Sequence, residues 1–330
     1  MLALLLGLAA GPALADCRGA DLIAAMPEAA RTALRVEAAA TPFSRGLVWR
    51  ASKGPARMLV VGTYHLDDPR HEALAARIAP HLAAADMLLV EAGPEEQARL
   101  KSALSTDPTL IVDPDGPPLP ERLGEAAWAR MRAAMAARGI PPAAAARLRP
   151  WYASVMLGMA PCMLADMGAE GLIGLDQRLM AQAGAAGVPV RALEPWDTVF
   201  TLFSDLTPQE ETDLIRTALA GADQADDMAM TMANAYFEGR GWEIWLLQRH
   251  LAETAGLQSP EDIAAQTALT QEVLLDHRNR AWLAPMLEAA EAAATRGKEV
   301  VVAVGLLHLP GEAGVLALLE GEGWAVEAME

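Results

Sequence analysis

Two apolar runs near opposite ends of the chain stop in the same way. Met58-Leu59-Val60-Val61 leads into Gly62-Thr63-Tyr64-His65-Leu66, and Val300-Val301-Val302-Ala303-Val304 leads into Gly305-Leu306-Leu307-His308-Leu309. Short runs of this kind, uninterrupted by polar residues, are expected of strands buried on both faces of a parallel sheet. A strand that halts at glycine and delivers a histidine places an imidazole at the rim of that sheet. Two such units in one chain point to two imidazoles that meet. A third run, Met87-Leu88-Leu89-Val90, ends on Glu91. Two histidines and one carboxylate form a ligand set for a divalent metal ion, so His65, Glu91 and His308 are the expected metal ligands.

Further strands are expected at Val188–Leu193 and Trp324–Ala328, with a β-like segment at Gly46–Arg50. A helix from about Pro69 to Ala84 joins the Met58–Val61 run to the Met87–Val90 run and makes them parallel. A shorter helix near Gly311–Glu320 makes a second crossover. The two units look like a weak internal duplication, although any two βαβ units share that look. The middle of the chain reads as helix: Glu121–Arg138, Arg147–Ala165 and Asp176–Ala186. Thr207-Pro208-Gln209-Glu210 is a helix start, and a long helix runs from Ser259 or Thr270 to about Thr295, with Pro285 inside it. The expected organisation is one α/β domain over 16–330. Its mixed, largely parallel central sheet is flanked by helices and carries helical insertions at about 121–170 and 207–295.

Ligands of an open parallel sheet bind beyond the C-terminal ends of its strands. His65, Glu91, Glu194 and His308 all lie at or just past such ends. Glu194 is expected either to fix a histidine tautomer or to pair with an arginine. Asp176 is expected either as a helix cap or as a site residue. Arg278, beside Asn279 on a helix otherwise patterned for burial, suits an oxyanion or a carboxylate. His250 and His277 read as ordinary helix residues. Trp242, Trp245, Met228, Met230 and Met232 read as core or groove. Nucleophile-elbow, phosphate-loop and dinucleotide patterns are missing from the sequence.

The 330 residues suffice for a large core, and the formal charge of −17 opposes phosphate backbones, which sets nucleic acid aside as a partner. Met1–Ala10 is apolar and Ala13-Leu14-Ala15 resembles a cleavage site, although no Lys or Arg precedes the run. The expectation is a signal peptide over 1–15 and a periplasmic or secreted mature protein without a stable membrane span. With only Cys17 and Cys162 present, an oxidising compartment favours a disulfide between them.

Taken in order, Gly62-Thr63-Tyr64-His65, Leu89-Val90-Glu91, Gly174-Leu175-Asp176, Leu193-Glu194, Arg278-Asn279, Val304-Gly305-Leu306-Leu307-His308-Leu309-Pro310-Gly311 and Gly323-Trp324-Ala325-Val326 resemble the TraB/GumN/Tiki family, its bacterial GumN-like branch above all. That resemblance implies a fold of the erythromycin-esterase/ChaN-like group. It also implies a metal-dependent hydrolase, peptidase-like, acting on a peptide or a small amide or ester with Mn, Co or Zn. His65, Glu91 and His308 would bind the ion, Glu91 or Glu194 would serve as base, and Arg278 would steady the oxyanion. Two leucines between Gly305 and His308 depart from the small residues many relatives carry there, and either narrow the site or face the core. The alternative is a non-catalytic haem or metal carrier of ChaN type, with the histidines as axial ligands. A member of the family without activity is a third reading.

Overall fold

The structure is a computed structural model that describes residues 19–166, 173–255 and 258–329. The proposed leader and Cys17 lie outside those residues. Six strands form one sheet: β1 (Val48–Lys53), β2 (Ala56–Thr63), β3 (Met87–Val90), β4 (Val190–Ala192), β5 (Val300–Gly305) and β6 (Ala325–Ala328), in the spatial order β4-β3-β5-β2-β1-β6. β2, β5, β3 and β4 run parallel, and β1 is antiparallel to both β2 and β6. The α/β class and the mostly parallel sheet agree with the expectation.

The strands at the centre explain the apolar runs. Every residue of β5 is buried, as is all of β2 except Arg57. Helices cover both faces, so neither strand alternates between apolar and polar residues. His71–Ala84 connects β2 to β3, and Leu175–Ala186 precedes β4. The two strands joined by the first crossover are parallel but not adjacent: β5 fills the slot between them. Glu91 therefore neighbours the strand of His308 rather than that of His65. The second crossover, with its helix Val315–Gly321, carries the chain past β2 and β1 to an exposed edge. The two units thus close in different places, and Glu327 on β6 has no counterpart role to Glu91.

Register aligns the two motifs. Gly62 pairs with Val304 and Thr63 with Gly305, so both Gly-x-x-His segments leave the sheet at the same level. Val90 pairs with Ala303 on one side and Ala192 on the other, which brings Glu91 and Glu194 to that edge. Backbone bonds continue beyond the strands, with Leu193 N–H donating to Val90 O at 2.8 Å.

The helical segments are more broken than the sequence suggests. Glu121–Arg138 splits at Gly124, where φ is 77°, into Leu119–Leu123 and Glu125–Ala137. Arg147–Ala165 becomes Pro150–Gly158 and Pro161–Asp166. Thr207 caps Pro208–Gly221 by accepting from Glu210 N–H, while Glu210 returns a carboxylate to the Thr207 N–H. These helices share an apolar cluster of their own, including Met131, Met135, Leu157, Ile215 and Leu219. The long C-terminal helix is continuous in path but mixed in type: Pro260–Gln271 is α, Glu272–Asp276 is a π turn, and His277–Ala294 is α again. Among the described residues no helix is long and apolar enough to cross a membrane.

Candidate functional site

His65, Glu91, Glu194 and His308 gather at one edge of the sheet, as the topology requires. Gly305 sits between three of them. A Cβ built on it would lie 3.2 Å from Glu91 Oε1, 3.3 Å from His65 Nε2 and 3.5 Å from His308 Cδ2. Three side chains from three strands therefore approach one point, and that point is open only because residue 305 has no side chain.

His308 is 4% exposed. The short turn Leu306–His308 folds it back under the sheet edge. Its Nδ1–H donates to Asn279 Oδ1 at 2.7 Å, and its Nε2 accepts from Arg278 Nη1 at 3.2 Å. The Trp282 ring lies against it, centroid to centroid 4.5 Å. Burial pulls the imidazole far below its ordinary value, and the facing guanidinium adds to that. His308 is therefore a neutral ring at physiological pH. The two leucines before it face the core: Leu306 joins the sheet cluster, and Leu307 packs against the apolar cluster that includes Trp242 and Trp245. They do not narrow the site.

Glu91 takes the Gly305 N–H on Oε1 at 2.6 Å and Arg278 Nη2–H on Oε2 at 2.6 Å. Its Oε1 is 3.7 Å from His308 Nε2. Burial would raise this carboxyl. The charges of Arg278 and His65, with the backbone donor, hold it well below the usual carboxylate range instead.

His65 differs from His308. It stands on the loop after β2, with its side chain 52% exposed. Its Nδ1–H donates to Asp176 Oδ1 at 3.2 Å. Asp176 is in the first turn of Leu175–Ala186, whose cap is Gly174. A Cβ on Gly174 would fall 2.3 Å from Tyr64 O, and Leu175 N–H donates to that same carbonyl at 2.9 Å. Glycine thus lets the helix start press against the His65 loop and bring Asp176 into reach. Partial burial works against the His65 cation, but the hydrogen bond and charge of Asp176, helped by Glu91, outweigh it and raise the imidazole to about 9.

Arg278 ties the edge together. Nε–H and one Nη2–H hold Glu194 in a bidentate pair at 2.9 and 2.6 Å. The other Nη2–H holds Glu91, and the two Nη1–H groups reach Leu274 O at 3.1 Å and His308 Nε2. All five donors of the guanidinium are engaged. Its face lies 4.9 Å from the Trp282 centroid, and Trp282 Nε1–H donates to Glu194 Oε2 at 3.3 Å. Glu194 is thus the arginine partner of the two roles considered for it. Burial pushes its carboxyl up, against the pull of Arg278.

The side chains gathered here are donors of the types a divalent cation takes. On each histidine, Nδ1–H is tied back to an oxygen, the pattern of histidine ligands; Nε2 of His65 is left for the site once that ring is neutral, and Nε2 of His308 is unprotonated but accepts from Arg278, a contact that an ion would have to displace. Glu91 is ionised beside them. In donor type these residues, two imidazoles and a carboxylate, fit a divalent ion. Among the described residues no three or more His, Cys, Asp or Glu side chains stand so that they could hold a metal ion as they are placed, and Arg278 lies against both Glu91 and His308.

Sequence reasoning missed Trp282 and the particular work of Asp176 and Asn279. Arg278 and Trp282 stand at i and i+4 on one face of a helix, and Asn279 and Trp282 at i and i+3. A polar pair on that face followed by tryptophan was the available signal. His250 is partly buried on the helix Gly241–Ala255, and His277 is exposed at the start of the helix that carries Arg278.

Comparison with known proteins gives one match. A family model described as the TraB/PrgY/gumN family matches residues 47–328. No curated protein matches the chain, and no solved structure does.

Proposed function

The chain belongs to the TraB/PrgY/gumN family, and from that premise we propose that it is a secreted metal-dependent hydrolase, peptidase-like, with its centre at the sheet edge described above. The observation that carries the reading is the convergence of the His65, Glu91 and His308 side chains around Gly305. His65 Nε2, His308 Nε2 and Glu91 would hold a divalent ion, with Mn²⁺, Co²⁺ or Zn²⁺ as candidates. Bound there, such an ion would supply Lewis-acid activation of water and polarisation of a carbonyl. Asp176 and Asn279 orient the two rings. Glu194 and Arg278 form the rigid pair behind them. With all five of its donors engaged, Arg278 is a positioning residue and has none left for an oxyanion. Glu194, with Arg278 on both oxygens, has the same structural role rather than that of a free base.

The carrier reading has less support. A haem needs open space over its axial ring, and His308 is 4% exposed with the Trp282 ring 4.5 Å from it. Export and the Cys17–Cys162 bridge belong to the proposal and rest on the apolar leader and the paired cysteines in the sequence.

The test is hydrolysis of a mixed peptide library by protein prepared without chelator. The expected result is cleavage that stops with chelator, returns with one of the three ions, and is lost in His65→Ala and His308→Ala but kept in His250→Ala. Cleavage that is indifferent to chelator, or haem uptake through His65 without cleavage, overturns the proposal.

A further inference from the structure

The two Gly-x-x-His histidines have different partners, and the difference has a consequence. His65 rests on a carboxylate, His308 on a carboxamide. A carboxamide has one accepting and one donating end, so its orientation decides which imidazole tautomer it can serve. Here that orientation is fixed from outside. Asn279 Nδ2–H donates to Ala313 O at 3.0 Å, and a carbonyl can only accept. Asn279 Oδ1 is therefore the end that meets His308, and it can only accept a proton from Nδ1.

We infer that Asn279 is a positioning residue that holds His308 as the Nδ1–H tautomer and thereby keeps Nε2 an unprotonated acceptor, met here by Arg278 Nη1–H, whose place an ion would take. The inference rests on the proposed metal centre for its purpose but not for its geometry. Asn279 is 1% exposed, and its neighbour Arg278 meets the opposite ring nitrogen as a donor, so both contacts specify the same tautomer. Trp282, one turn further along the same helix, packs against the ring and restricts its rotation. Ala313 belongs to the segment that follows the motif in the chain, just ahead of Val315–Gly321. The bond from Asn279 therefore joins the long helix to the chain on the C-terminal side of His308, and the histidine is clamped from its own loop. The π turn at Glu272–Asp276 immediately precedes this face, a place where such turns often serve a site.

The test uses the full chain, labelled with ¹⁵N in histidine and freed of metal by chelator, so it does not depend on turnover. Long-range ¹H–¹⁵N spectra distinguish Nδ1–H from Nε2–H rings. The parent protein is expected to show His308 as Nδ1–H alone, with a proton that exchanges slowly with water. Asn279→Leu removes acceptor and donor together. It is expected to speed exchange of that proton or to populate the second tautomer, and to weaken Mn²⁺ or Zn²⁺ binding by on the order of 10–100-fold, the usual effect of losing such a partner. Asn279→Asp keeps an acceptor at Nδ1 and should restore the ring-nitrogen pattern. An Nε2–H ring in the parent overturns the inference whether or not any variant folds. So does a folded Asn279→Leu protein with unchanged spectra and unchanged metal binding. Failure to bind any metal, with the tautomer as expected, would count against the hydrolase reading and leave the tautomer assignment standing.

Discussion

At the scale of single residues, the site is a set of charges that survive burial only together. Arg278 is 14% exposed in its side chain and faces Glu91 and Glu194, at 16% and 14%. Arg278→Ala would leave two carboxylates with little water and no guanidinium. Breaking such a pair from one side costs about 3–5 kcal/mol. A urea melt of Arg278→Ala should show a loss of that size, and Arg278→Lys should recover little of it because an ammonium has three donors where five are used. A loss below about 1 kcal/mol would match a solvent-screened pair instead and refute this view of the residue. Gly305→Ala tests the open point directly. Its methyl would meet Glu91, His65 and His308 within 3.5 Å. The expected outcome is an overpacking cost of about 1–3 kcal/mol with metal binding lost, measured by denaturation and by titration with Mn²⁺. Undiminished binding would mean that the ligands do not share this point.

At the scale of elements, legibility tracked burial. β2, β3 and β5 could be read because all three are short apolar runs that stop at a chemically distinct residue, and parallel strands covered on both faces leave that trace. Their sheet order could not be read. The slot between β2 and β3 is filled by a strand some two hundred residues later, and nothing local in either segment encodes that partner. Glu194 and Arg278 were legible as candidates, yet their pairing was not, since it depends on a long helix lying across the strand ends. The π turn left no sequence signal, as it is one extra residue in a pattern that continues on both sides. Helix starts with a chemical mechanism read well. Thr207 and Glu210 form the reciprocal cap their spacing suggests. Thr207→Ala should lower stability by about 1 kcal/mol in a thermal or urea melt while leaving metal binding unchanged. A change in the site would show that this helical region and the sheet edge are coupled.

At the scale of the whole molecule, the buried charges set a pH dependence whose sign can be worked out. His308 falls from 6.5 in the unfolded chain to about 3 in the fold, and Glu91 from 4.5 to about 2. Both groups bind more protons unfolded than folded as pH drops below those ordinary values, so acid favours unfolding. Metal-free protein should therefore lose stability progressively as pH falls below 6.5. His65 acts in the other direction: its folded value, raised to about 9 from 6.5, gives a contribution that is complete below 6.5 and fades as pH rises through 9. Urea melts across this range in chelator should give a maximum between the two arms, and His65→Gln should flatten the alkaline arm. A curve that is level from 6.5 down to 4.5 would contradict the account of His308. The central claim is that His65, Glu91 and His308 share one divalent ion, and calorimetric titration of chelator-stripped protein with Mn²⁺, Co²⁺ and Zn²⁺ tests it most directly. The account predicts one ion per chain, with proton release near neutral pH as His65 gives up its charge, and binding abolished in His65→Ala and in His308→Ala but intact in His250→Ala. Binding that is unchanged in either of the first two variants, or no binding of any of the three ions by the parent, would contradict it.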